Sequence, residues 1–251
     1  MAVANNLFVE NLKLFKRKKL IQGTLTKDVG VSAFLDKRGR ETLISSLGKN
    51  NFPNNNVLEM EQVHGVKIAC VKKEEKLSGN KLFPSVDGIV TNKRGVLLGV
   101  RHADCVPIFL FDPVREVIGL VHSGWRGTVG KIGLIALQKM VVEFGSRVEK
   151  VEVALGPAAQ VCCYRKAKTS VFTQLPEWRE FIAIKKGEVT VDLSGFIEEM
   201  FLVAGVRKEH IKNSRICTIH NREFHSWTRR RDQGEERGTG MSVLGLKGRK
   251  T

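Results

Sequence analysis

Apolar residues along this chain fall into short runs bounded by Gly, Pro, Asn and Asp, and the spacing within each run assigns its element. VLEMEQVHGVKIACV (57–71) alternates as a strand pair with a turn at His64-Gly65. From residue 86 the runs become denser. VDGIVT, GVLLGVRHADC, VPIFLFD and EVIGLVH read as strands, several of them buried on both faces. Residues 128–144 place Val129, Ile132, Ala136, Met140 and Phe144 at helical spacing, with Gly145 as the stop. A strand follows in VEKVEVALG, then helices over 170–185 and 194–205 and a last strand near SRICTIH (214–220). Nearer the start, ETLISSLG (41–48) reads as a short helix closed by Gly48, and KNNFPNNN (49–56) as a surface loop. Strands and helices mix without strict βαβ alternation, which predicts a layered α/β arrangement. No linker, repeat or low-complexity tract divides residues 1–251, so one domain is expected.

The apolar fraction of 42% is ample for a core, and no run reaches membrane-spanning length. The first twenty residues break every apolar run with Asn, Glu or Lys and contain no secretory core, so a cytoplasmic protein is expected, without a membrane association. Five cysteines are an odd number, and Cys162 and Cys163 are adjacent, which argues for reduced thiols rather than a disulfide framework. The net charge of +16 favours anionic or phosphorylated partners. Basic clusters occur at 16–19, 229–231 and 247–250, but one Tyr and no aromatic-basic interleaving make nucleic-acid binding the minor reading. Nothing in the pattern specifies an oligomeric state.

The chemistry concentrates in RHADCVPIFLFDPVREVIGLVHSGWRG (101–127). Cys105 lies in a turn between two strands and His122 ends the next, so hairpin pairing would bring both to one sheet edge. With the distant His64 they form two imidazoles and a thiol, the donor set of a catalytic zinc site with an open fourth position. Copper accepts the same donors. The same trio also suits a Cys105 thiolate activated by His122 or His64 for attack on a carbonyl, without metal. A multicopper oxidase fails on arithmetic, because only six His exist and none forms a His-x-His pair. The strand ending at His122, the loop SGWRG and the following helix make a place for an anion, with Gly124 and Arg126 at hand. Trp125 reads as packing or as a stacking surface, Arg101 and Asp104 as a pair pinning the turn or as substrate contacts, and Asp87 as a turn former. Cys217 and His220, three apart on an expected strand, fall on opposite faces and read as structural. RRRDQGEERGTG (229–240) reads as a solvated loop, with Arg229 or Arg230 reaching an anion as the lesser alternative.

QVHG (62–65), VDGIVT (86–91), VRHADCVP (100–107), HSGWRGTV (122–129), LGP (155–157) and CCY (162–164) resemble, in order and spacing, the laccase-domain, or polyphenol-oxidase-like, purine nucleoside phosphorylase family. Cys217-Thr218 and FHSWTRR (224–230) are similar to its closing motif. The resemblance implies a four-layer α/β/β/α sandwich with mixed sheets, related to cysteine-hydrolase toxins, and a metal site on His64, Cys105 and His122. It implies zinc or copper as cofactor and a purine nucleoside with phosphate as substrates. Adenosine, inosine and methylthioadenosine are the expected nucleosides, with adenosine deamination and phenol oxidation as further activities. It also implies an alternative, an amidase acting on a cell-wall precursor. The chain departs from the family pattern at Ala158, which stands for a cysteine, at Arg165, which stands for an acid, at QGTLTK (22–27), and at an extra Thr228.

Overall fold

The computed structural model describes residues 15, 19–27, 57–77, 79–167, 169–185, 187–236 and 238–248. In chain order its elements are β1 (Leu20–Thr24), β2 (Val57–Met60), β3 (Ile68–Val71), β4 (Lys81–Phe83), β5 (Gly88–Thr91), β6 (Val96–His102), β7 (Val106–Asp112) and β8 (Val117–Ser123). The helices α1 (Trp125–Val129) and α2 (Ile132–Phe144) follow, then β9 (Glu152–Leu155), β10 (Arg165–Ala167), β11 (Ile182–Lys185) and β12 (Glu188–Val191). The last elements are α3 (Leu193–Val203), β13 (Ile211–Asn213), α4 (Trp227–Gln233) and β14 (Gly240–Leu246). The expected helix at 41–48 and the loop at 49–56 lie outside the described residues.

Two mixed sheets dominate. One runs β1-β14-β6-β2-β4, the other β13-β9-β7-β8-β5-β3, and a small antiparallel sheet is ordered β10-β12-β11. Strict alternation in β7 and β8 explains their stacking. Phe109, Phe111, Ile118 and Leu120 meet Leu98, Val100, Leu244 and Leu246 between the two large sheets. Ile108, Leu110, Val117 and Val121 face the opposite way, onto Ile132, Ala136 and Met140 of α2 and Ile197 and Phe201 of α3. Strands buried on both faces read as continuous apolar runs for this reason. The layering is therefore helices, six-stranded sheet, five-stranded sheet; the expected fourth layer is not among the described elements.

The structure corrects several expectations. β2 and β3 do not pair with each other but belong to different sheets, so the chain at His64 crosses between layers. The helix expected over 128–144 is broken by Gly130 and by Lys131, whose φ is 57°, leaving a one-turn α1 before α2. Residues 170–185 are not one helix. Leu175 is extended ahead of Pro176, as pre-proline sterics require, and only short 3-10 turns (Val171–Thr173 and Pro176–Phe181) precede β11. Trp178, fully buried, stacks on Phe196 at 3.9 Å and thereby fixes this irregular segment to α3. The strand expected over 214–220 is displaced to β13, and residues 218–220 form a turn. Residues 229–233 of the loop expected over 229–240 belong instead to α4, capped by the Ser226 hydroxyl, which accepts from the Arg229 N–H.

The turn between β7 and β8 is tied to the other sheet by charge. Glu116 there receives Lys19 at 3.0 Å, just before β1, and Arg94, just before β6. Burial pushes the Glu116 carboxyl up, but the bonds from Lys19 and Arg94 more than reverse it and hold it below the ordinary carboxylate range. A depressed native pKa adds stability above the unfolded value near 4.3, which is lost as pH falls through the native value. With about a third of each side chain exposed, Glu116→Gln is expected to cost no more than about 1 kcal/mol at neutral pH. In urea titrations the difference from the parent chain should shrink as pH is lowered from about 5 toward 3.

Candidate functional site

The site forms where the ends of β5, β6 and β8 meet the crossover at His64, and Asp87 is its hub. Asp87 immediately precedes β5, opposite His122 in the antiparallel β5–β8 pair, and both side chains follow the face that looks between the sheets. The Asp87 carboxylate accepts the backbone N–H groups of His64 at 2.9 Å and Gly65 at 2.7 Å, the weaker one of Val63 at 3.2 Å, and the Nδ1–H of His122 at 2.8 Å. Asp87 and His122 are 0% and 2% exposed, so this network is shielded from solvent. Gln62 secures the same segment from the other side, donating to the Arg101 carbonyl at 2.6 Å and accepting the Arg101 N–H at 2.8 Å. The QVHG stretch thus binds both sheets, and His64 is held at φ 59° at the crossover. Asp87 is more than the turn former its sequence context indicates. A buried carboxylate just ahead of a strand gives no sequence signal of its bonds to two distant segments.

His64, Cys105 and His122 converge, with ligand atoms all within 4.8 Å of one another. The two imidazoles stand edge to face at 4.7 Å between ring centroids. His122 is buried, Cys105 half-buried and His64 exposed, which leaves one side of the trio open. The charges are set by contact. Burial pushes the Cys105 thiol up, and bonds from His122 and His64 more than reverse it, bringing it to about 7. Burial pushes His122 down, and the Asp87 and Cys105 bonds raise it to about 9. Burial and then the neighbouring His122 drive His102 down to about 3, so this third imidazole is neutral; its Nε2 bonds the Ser242 hydroxyl at 2.8 Å.

Gly124 makes the convergence sterically feasible. A Cβ there would lie 3.0 Å from the His64 ring and 3.1 Å from the Cys105 sulfur. The position expected to help hold an anion therefore belongs to the cradle of the trio. The anticipated Arg101–Asp104 pair does not form. The Asp104 carboxylate instead accepts from the Thr218 hydroxyl at 2.7 Å, the Ser226 hydroxyl at 3.0 Å and the Thr228 N–H at 2.7 Å. The closing motif is thereby fastened beside Cys105, and the extra Thr228 takes part through its backbone. Arg229 does not reach an anionic ligand: only 2% exposed, it pairs with Glu235 at 3.0 Å and donates to the carbonyls of Thr218, Ile219 and Phe224.

A cavity of about 760 Å³ opens over the trio. Arg101, Arg126, Arg165, Lys166, Arg230 and Arg231 line it, and Asp104 is the sole acid among its described lining residues. Burial and the adjacent Arg231 hold the Lys166 ammonium below its usual range. Trp125 borders the cavity, lies against Phe172 at 6.2 Å and carries the Arg126 guanidinium 4.3 Å from its ring. Packing and a cavity-facing position are both realised for this residue. Among the described residues no helix is long and apolar enough to cross a membrane.

Residues 37–247 match the family described as multi-copper polyphenol oxidoreductase laccase. The purine nucleoside phosphorylase YlmD of Geobacillus stearothermophilus is 35% identical over 195 residues, spanning 73% of this chain and 70% of that one. The adenosine deaminase RL5 of an unknown prokaryotic organism is 27% identical over 199 residues, spanning 76% of this chain and 74% of its own. The crystal structure of YlmD from Geobacillus stearothermophilus superposes with a TM-score of 0.79 at 29% identity, over 92% of this chain and 93% of that one. The mixed α/β architecture matches this neighbour. The chain is an enzyme, a member of the multi-copper polyphenol oxidoreductase laccase family whose curated relatives include purine nucleoside phosphorylases.

Proposed function

We propose that the chain is a metal-dependent purine nucleoside phosphorylase with adenosine deaminase activity, formed as one domain, with His64, Cys105 and His122 as its metal ligands. The observation that carries this reading is two imidazoles and a thiol converging within 4.8 Å on the open side of a cation-lined cavity. The donor set fits zinc, which takes nitrogen at about 2.0–2.1 Å and thiolate sulfur at about 2.3 Å and leaves a fourth position for substrate or water in catalytic sites. The missing side chain at Gly124 keeps the space beside these atoms clear. Zinc held there supplies Lewis acidity next to the substrate. Copper suits the same donors and would carry a phenol-oxidising side activity.

The chain's own groups account for the remaining work. Asp87 fixes the His122 tautomer by accepting the hydrogen bond of Nδ1–H, so that Nε2 faces the centre, and positions His64 through its backbone. Arg126 and Arg101 orient phosphate, a dianion that also relieves the crowding of cations around Lys166 and Arg231. Trp125 supplies an aromatic surface for a purine. In phosphorolysis a phosphate oxygen bonds to ribose C1′ as the C1′–N9 bond breaks and its electron pair leaves with the base. In deamination water adds at C6 of adenosine and ammonia departs. Adenosine, inosine and methylthioadenosine present the purine and ribose that both reactions need.

A second reading rests on a different observation: Cys105, His122 and Asp87 form a thiol, imidazole and carboxylate series with the thiol brought to about 7. That is the arrangement of a cysteine amidase, here one acting on a cell-wall precursor, and it accords with the expected kinship to cysteine-hydrolase toxins. Chelation separates the two, because an amidase keeps its activity without metal and loses it on thiol alkylation.

Incubation of zinc-loaded protein with adenosine should give ribose phosphate and adenine when phosphate is present and inosine when it is absent. Cys105→Ala should lower both rates by at least about 100-fold; an unchanged rate overturns the assignment. Asp87→Asn should weaken zinc binding by about 10–100-fold, measured by competition with a chromogenic chelator. For Arg126→Ala, steady-state kinetics should show the KM for phosphate rising about 10-fold, the cost of one charge-assisted contact, with a smaller change for the nucleoside.

A further inference from the structure

Away from the cavity floor, Cys162, Cys163, Cys217 and His220 form a second convergence, with one ligand atom from each lying within 4.8 Å of the others. Their position on two tight turns explains how they meet. Residues 161–163 turn over the Gln160 carbonyl, which accepts from both Cys163 and Tyr164 at 2.9 Å, so the adjacent cysteines are not sent to opposite faces as in a strand. Residues 218–220 turn over the Cys217 carbonyl, which accepts from Asn221 at 2.8 Å and brings His220 back beside Cys217. This overturns the expectation of opposite faces for these two residues. A parallel bridge between Ala158 and Cys217 holds the two turns side by side. The His220 Nε2 stands 3.1 Å from the Cys163 sulfur, and its Nδ1 3.6 Å from the Cys162 sulfur, so either ring nitrogen can turn to the common centre. Around tetrahedral zinc, with bonds of about 2.3 Å to sulfur and 2.0–2.1 Å to nitrogen, sulfur and nitrogen ligands stand roughly 3.5 Å apart.

We propose that Cys162, Cys163, Cys217 and His220 bind a structural zinc ion, separate from the centre at His64, Cys105 and His122 and independent of the reaction assigned to it. Three thiols and one imidazole are a closed tetrahedral set, with no position left for substrate, whereas the first centre has three ligands and one open side. Beneath the second turn the buried Arg229 guanidinium donates to the carbonyls of Thr218 and Ile219, placing positive charge next to a cluster that carries a net negative charge when zinc is bound to three thiolates. Zinc would staple the segment leading into Tyr164, Arg165 and Lys166, one wall of the cavity, to the segment that carries Thr218 and bonds Asp104.

The test uses the full chain, reduced and stripped of metal, then titrated with cobalt(II) and with zinc. The Cys105→Ala variant, lacking the thiol of the first centre, should still develop the near-ultraviolet thiolate-to-cobalt band and the intense visible bands of a tetrahedral site, and should retain one equivalent of tightly held zinc. Adding Cys163→Ser to it should abolish both. Adding instead His220→Ala, a change at an exposed side chain, should weaken zinc binding by more than the roughly 100-fold upper range seen for loss of an outer-shell partner. Absence of the cobalt–thiolate band in Cys105→Ala overturns the proposal. So does zinc binding in that variant that neither further substitution alters, and so does a disulfide among these cysteines that persists in reductant.

Discussion

The site depends on one buried carboxylate. Asp87 is fully enclosed, yet its charge is matched by three backbone N–H groups and the His122 ring, so the ionised form is favoured despite burial. Burial raises its pKa, and the His122 contact together with the N–H groups of Gly65 and Val63 more than reverses it, leaving the group below the ordinary carboxylate range. The consequence reaches beyond charge. His122 is on the six-stranded sheet, whereas the His64 segment leaves the five-stranded sheet, and Asp87 bonds both. Their relative position is therefore set by a single rigid group rather than by the packing of two layers.

That geometry also explains how neighbouring thiol and imidazole acquire opposite tendencies. A carboxylate behind His122 favours its imidazolium, and an imidazolium in front of Cys105 favours the thiolate. Either a metal ion or an electrophilic carbonyl can exploit a thiolate prepared in this way. The observations that favour the metal are steric and electrostatic. Gly124 leaves the space beside the trio without a side chain, and His64 adds a second imidazole that a cysteine nucleophile does not need.

How much of this was legible in the sequence depends on the range of the contact. β5 to β9 and α2 follow from local periodicity, since each buries a face defined by its own alternation. The pairing of Cys105 with His122 follows as well, because β7 and β8 form a tight antiparallel pair in which Pro107 is opposite His122. The inclusion of His64 came from donor chemistry and family resemblance, not from spacing. The bonds of Asp87, Gln62 and Asp104 were not legible, because each joins segments between 22 and 124 positions apart and leaves no periodic trace. At residues 170–185 apolar spacing alone indicates a helix, but Pro176 excludes one by holding Leu175 extended. At 217–220 the strand expectation separated Cys217 from His220, and a four-residue turn reunites them.

The distribution of charge bears on substrate class more directly than its sum. A net charge of +16 is compatible with any polyanion, including nucleic acid. Six cations lining one cavity that Trp125 borders suit the small anion and ring of the proposed substrates better than an extended polyanion. Arg165 bears on this field as well, for it stands at the cavity rim on the exposed strand β10 and pairs with Glu188 across to β12 at 3.6 Å. Because that partner belongs to the same small sheet, the guanidinium is only loosely committed, at a separation and exposure where an ion pair contributes little. Its charge therefore remains able to add to the positive field over the trio.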